Sequence, residues 1–269
     1  MRRLYAGFCA LLLALAVFVP VQTGECYVTL KYKQMPFEFG KIRLPEDMYV
    51  VEIDFNSFID KMEKDQAFKR EIDKLKDYDQ TRLTRWAIEA MQTKEVKEHL
   101  KTMSLYQAGL YDGECRRTVW FLVIHDNKYF TDRYGDFFKG KMTDEKKEKV
   151  IAVNRELKKL VEEYTLKDGE KFDYPEVKTV KLNETLSSAR FELGEVSDVE
   201  FVRINGKPAY AASVRLAGEM LHSFGSLYFK EYDFQSKGKM TSLIFMSYDS
   251  DREFWTKIFD NSLIQKDKR

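Results

Sequence analysis

The dipeptide Asn205-Gly206, within "FVRINGKPAYAASVRL", constrains the fold of this chain more than any other feature of its sequence. A two-residue hairpin loop of the favoured type needs positive φ at both central positions, and Asn-Gly supplies that at low steric cost. The flanking runs have strand-like composition, so the spacing predicts two antiparallel strands joined at this point. A further strand is predicted in "MLHSFGSLYFKEYDF", then a turn at Lys237-Gly238-Lys239, then a strand in "MTSLIFMSY". The closing segment "SDREFWTKIFDNSLI" predicts a helix: Ser250 and Glu253 have capping-box spacing, and Phe254, Trp255 and Ile258 are placed to face the sheet. Sequential antiparallel strands finished by a helix predict the α+β class, an antiparallel sheet flanked by helices.

Upstream, "FEFGKIRLP" and "MYVVEID" lean towards strand and are separated by Pro45-Glu46-Asp47. The period then changes. Phe58, Met62, Phe68, Ile72 and Leu75 recur at helical spacing, followed by Leu83, Trp86, Ala87, Ala90 and Met91, and then by Val96, Leu100 and Met103. This predicts a helical insertion over about 56–112. Strand character returns in "TVWFLVIHDNKYFT", and the clearest helical stripe of the chain follows, through Val150, Val153, Leu157, Leu160, Val161 and Tyr164, with Thr143 or Asp144 as N-cap. Residues 25–269 are expected to form a single α+β domain carrying the insertion.

Arg2 and Arg3, the apolar run from Leu4 to Val21, and the polar turn after it have the order of a secretory signal, which assigns residues 1–24 to a signal peptide. The rival is an uncleaved signal anchor, because the run approaches the roughly 18 to 20 residues of a spanning helix. Glu25 stands directly before Cys26, where a lipidation signal needs a small residue. Cys9 leaves with the signal, so Cys26 and Cys115 remain as a candidate disulfide in an oxidising compartment. Cleavage after Cys26 would instead leave Cys115 alone, as a small buried hydrophobe.

The chain carries 45 Lys and Arg against 44 Asp and Glu, and the signs are interleaved, as in "DEKKEKVIAVNRELKK". That pattern belongs to solvated helix faces, and no basic stripe with interleaved aromatics is present to hold nucleic acid. His99, His125 and His222 lie in none of the spacings that hold zinc, so no metal site is expected. A nucleophile elbow, a phosphate-binding glycine loop and a dinucleotide fingerprint are absent, and neither a catalytic residue nor a cofactor is expected. Paired carboxylates cannot be recognised in a sequence so rich in Asp and Glu. The segment "KYFTDRYGDFFKGK" concentrates aromatic residues in a connection, and Tyr134, Phe137 and Phe138 are the candidate binding residues. Alternatively, those rings cap the end of the core.

The order "VEFVRINGKPAYAASVRLAG", "LYFKEYDFQSKGKMTSLIFMSYDSD", "FWTKIFDNSL", together with "FGKIRLPEDMYVVEID" around Leu44-Pro45-Glu46, resembles the PsbP-like superfamily, and within it the DcrB-type exported bacterial proteins. The resemblance covers about 37–54 and 118–264 and implies one antiparallel sheet flanked by helices. The helical run after residue 56 departs from that pattern. The expected function is an exported, non-enzymatic binding or envelope-assembly module, with a protein partner in the cell envelope and membrane contact only through an uncleaved signal. An exported hydrolase whose site is assembled only in three dimensions is the alternative. Convergent carboxylates or a histidine pair in a cleft would favour the hydrolase, and an exposed aromatic patch the binding module.

Overall fold

The computed structural model describes residues 31–53, 102–111, 116–126, 140–165, 191–218 and 225–264, with isolated positions 64, 66, 70, 131, 138 and 167. Strands β1 (Tyr32–Phe37) and β2 (Gly40–Pro45) form a hairpin of their own. The main sheet is antiparallel throughout. It contains β3 (Tyr49–Ile53), β4 (Met103–Tyr111), β5 (Arg116–His125), β6 (Leu193–Val196), β7 (Glu200–Ile204), β8 (Lys207–Ala217), β9 (Leu227–Ser236) and β10 (Lys239–Tyr248). Their order is β3-β4-β5-β10-β9-β8-β6, and β7 shares the outer side of β8 with β6. Helix α1 (Asp144–Tyr164) packs on β6, and helix α2 (Arg252–Leu263) packs on β2 and β10. The α+β sheet arrangement expected from the sequence is therefore present, while residues 1–24 lie outside the described residues.

The hairpins follow their turn chemistry. Asn205 and Gly206 have φ of 53° and 76°, and Lys237 and Gly238 have 50° and 81°, so both two-residue loops place both central residues in the left-handed region. Arg203 Nη2 also donates to the Gly206 carbonyl at 2.6 Å. Gly206→Ala should cost about 1–2 kcal/mol, the penalty for a Cβ in that region. Denaturant unfolding should show a lower midpoint with an unchanged slope.

Both faces of the sheet carry buried side chains. The first carries Phe121, Val123, Tyr232, Phe234, Leu243 and Phe245, covered by Trp255, Ile258, Phe259 and Leu263 of α2 and by Phe39, Ile42 and Leu44 of the hairpin. Ser262 Oγ accepts from the Arg43 amide at 2.8 Å, which ties α2 to β2. The second carries Leu105, Trp120, Leu122, Leu216, Leu227 and Met246, all buried. Burial on both sides explains why "TVWFLVI" and "SLIFMSY" are nearly continuous apolar runs. Helix α1 approaches the second face closely because Gly194 has no Cβ; one built there would clash with Val161 and Thr165.

Three sequence expectations change. The helical insertion does not reach residue 112: Met103–Tyr111 is β4, paired with both β3 and β5. Both faces of β4 are occupied, so the period-two signal that marks a half-buried strand is missing. Positions 64, 66 and 70 are helical, and Trp86 lies outside the described residues. The predicted capping box does not form, because Asp249–Asp251 makes a 3-10 turn and α2 starts at Arg252 with Asp251 as its N-cap. The strand expected from residue 220 starts at Leu227. The N-cap of α1 is Thr143, whose hydroxyl accepts from the Lys146 amide at 3.3 Å.

Candidate functional site

Of the three aromatic residues singled out in the 128–141 segment, Tyr134 and Phe137 lie outside the described residues, as do Cys26 and Cys115. Phe138 is buried, at 7% exposure, in a small cluster with Val150, Tyr210 and Met240. Its ring stacks on Tyr210 with centroids 6.1 Å apart and an interplanar angle of 12°. His125 ends β5, where Nε2 lies 3.2 Å from Ser104 Oγ and 3.7 Å from Glu38 Oε2. Among the described residues no cluster of three histidine, cysteine or acidic side chains is placed to hold a metal ion.

Beneath Phe138 the sheet carries a group of polar residues that the sequence did not reveal. Glu231 and Asp233 are two apart on β9 and so project on the same face of the sheet. Asp233 faces Tyr210 on β8 and Ser242 on β10, which are its registered partners. Ser242 donates its hydroxyl to Asp233 Oδ1, and the Tyr210 hydroxyl also hydrogen-bonds this carboxylate. Asp233 has no exposed surface. Among the described residues its Oδ2 has no hydrogen-bond donor, and the Glu231 carboxyl interacts with the same carboxylate.

The electrostatics follow from that enclosure. Burial pushes the Asp233 carboxyl up to about 6, against the opposing hydrogen bonds from Ser242, Tyr210 and Glu231. Burial also drives Glu231 well above the usual carboxylate range, reinforced by the charge of Asp233. The charge of Asp233 opposes ionisation of Glu231, which favours a protonated Glu231 beside it. Acids at i and i+2 of a strand are common on solvated faces, and only the packing of this face makes these two unusual.

A second polar group lies on the opposite face. Lys230 is buried and pairs with both oxygens of Asp260 in α2 at 3.0 and 3.1 Å, and the Tyr232 hydroxyl donates to Asp260 Oδ1 at 2.6 Å. This network fastens α2 to the sheet. The Tyr232 hydroxyl is pushed well above its usual range, chiefly by burial and then by the Asp260 charge, so it remains a donor.

The two edges of the sheet differ. On one side β6 and β7 are short, are separated by residues 197–199, and carry Glu195, Glu200 and Arg203. On the other side β3 runs unbroken from Tyr49 to Ile53 and, among the described residues, pairs only with β4. Tyr49 and Val51 are 38% and 52% exposed and are two of the three exposed large hydrophobics among the described residues. The Tyr49 ring lies across Gly109, its register partner on β4, where a Cβ would clash with it. The glycine therefore gives the ring a seat on the backbone.

No family model, curated protein or solved structure matches the chain. No helix among the described residues is long and apolar enough to cross a membrane.

Proposed function

We propose that the chain is an exported, non-enzymatic module that binds a protein partner in the cell envelope, in keeping with its PsbP-like, DcrB-type resemblance, and that the partner adds an extended segment along β3. The asymmetry of the two sheet edges supports this reading. An exposed strand edge offers a row of backbone donors and acceptors, and proteins blunt it with charge, proline, bulges or short strands. The β6/β7 edge is interrupted and carries Glu195, Glu200 and Arg203, whereas β3, also short, carries one charge, Glu52, and has no lysine, no proline and no interruption. Strand addition draws affinity from main-chain hydrogen bonds and specificity from alternate side chains, a role that Tyr49 and Val51 fit.

Photo-crosslinking in envelope fractions tests the proposal. A reactive residue at position 51 should give adducts with one partner, mapping to a single extended segment, while one at position 203 on the opposite edge should not. Tyr49→Lys should lower the yield about tenfold, equivalent to about 1.4 kcal/mol of binding. Equal adducts from both edges, or a yield indifferent to Tyr49→Lys, would overturn strand addition at β3.

The hydrolase reading is favoured by one observation, the convergence of Glu231 and Asp233 with Tyr210 and Ser242. Two convergent carboxyls are the kind of groups from which such chemistry draws its acid and base. Asp233, however, has no surface that a substrate can reach. On the hydrolase reading Asp233→Asn abolishes turnover; on the binding reading it leaves crosslinking at position 51 unchanged in folded protein.

A further inference from the structure

We propose that Glu231 and Asp233 share one proton as a pH-responsive lock on the β8–β9–β10 face, closed while the proton is held and loosened when both carboxyls are charged. The geometry carries the argument. Asp233 is fully enclosed, its Oδ1 receives the Ser242 hydroxyl, and among the described residues its Oδ2 has no donor unless Glu231 is protonated. A buried acceptor left without a donor is costly, and a second negative charge beside it, on the half-buried Glu231, adds to that cost.

Among the described residues, no cation is among the groups that shift either carboxyl. From β8 the facing residues are Tyr210 and Ala212, and from β10 they are Ser242 and Ile244. From α1 the contact is Val150, which packs with Phe138, Tyr210 and Met240. Four cations on or beside these elements are engaged elsewhere: Lys147 with Asp144 at 3.2 Å, Lys207 with Gln235 at 3.1 Å, Lys239 with Asp126 at 3.1 Å, and Arg203 with the Gly206 carbonyl. Lys230 and Glu200 lie on the opposite face of the sheet. No lysine, arginine or histidine among the described residues contributes to the shift of either carboxyl.

Both carboxyls titrate above their ordinary values of 3.8 and 4.5, so the folded chain holds more protons than the unfolded chain across the interval between. Stability from this pair is full below the ordinary carboxylate range. It is lost as pH rises through about 6 for Asp233 and through the raised range of Glu231, which lies well above the ordinary carboxylate value.

Thermal unfolding of the full chain from about pH 5 to about pH 8 should show a fall in Tm on the order of 5 °C from this pair. In Glu231→Gln the amide donates to Asp233 Oδ2 at every pH, and most of that fall should vanish. Glu200→Gln, a change at an exposed carboxylate on the opposite face, should keep the wild-type slope. Carboxyl carbon resonances of selectively labelled glutamate read the site directly and do not depend on any variant folding. A Glu231 signal that titrates in the ordinary carboxylate range would overturn the proposal, as would an identical pH slope in wild type and Glu231→Gln. The β3 edge takes no part in this measurement, so failure here leaves the binding reading standing.

Discussion

Phe259→Ala is expected to lower stability by about 3–5 kcal/mol, the cost of removing a buried phenylalanine ring and leaving its cavity. Phe259 is fully buried in α2. Its ring stacks on Phe245 of β10 at 4.6 Å and 13°, meets Phe121 of β5 at 5.6 Å and 69°, and lies 6.5 Å from Tyr232 of β9. Three strands and one helix therefore share a single side chain. Against a total stability of about 5–15 kcal/mol for an ordinary domain, this loss should move the main transition by on the order of 10 °C. Phe259→Leu retains most of the volume and should cost clearly less. Calorimetry of the two variants checks the expectation. A transition unchanged in Phe259→Ala would mean that α2 docks on the sheet without contributing to its cooperative core.

Asp260→Ala is expected to cost about 2–4 kcal/mol, through a different mechanism. The substitution leaves Lys230, with 5% of its side chain exposed, without its carboxylate, and leaves the Tyr232 hydroxyl without an acceptor. Glu200 lies 4.0 Å from the same ammonium and is too exposed to replace the bond. Breaking one side of a buried pair costs more than the pair itself contributes, since a desolvated charge remains behind. The figure sits at the lower part of the usual range because Asp260 keeps 30% of its side chain in water. Replacing both partners, as in Lys230→Met with Asp260→Leu, should recover most of the loss. Equal losses in the single and double variants would show that the helix contact depends on packing alone.

Several elements were legible because their causes are local. Asn205-Gly206 and Lys237-Gly238 adopt positive φ because a two-residue loop between twisted strands demands it. Thr143 caps α1 through an amide three residues ahead. Other elements depend on distant parts of the chain. Met103–Tyr111 looked helical because the helical period before it extends into Met103, and because a strand covered on both faces loses its alternation. The Ser250 capping box gave way to a 3-10 turn in which Asp249 takes Arg215 at 2.7 Å and Asp251 lies 3.7 Å from Arg117. Neither arginine is near the turn in sequence.

The candidate site separates along the same line. Phe138 belongs to an aromatic cluster that was visible in the sequence, yet its burial against Tyr210 depends on α1 and β8 meeting there. In "KEYDF" every second residue of β9 faces one way, so a strand reading alone places Glu231 with Asp233 and Lys230 with Tyr232. Which side would be wet was not readable, since both are covered by segments remote in the chain. The sequence by itself determined the class of the fold, its local turns and the alternation of side chains, because these follow from φ, ψ and steric preference within a few residues. The tertiary structure alone decided which charges lost their water. Desolvation depends on what packs above a residue, and for Asp233, Lys230 and the open edge at Tyr49 and Val51 that packing is set by strand order.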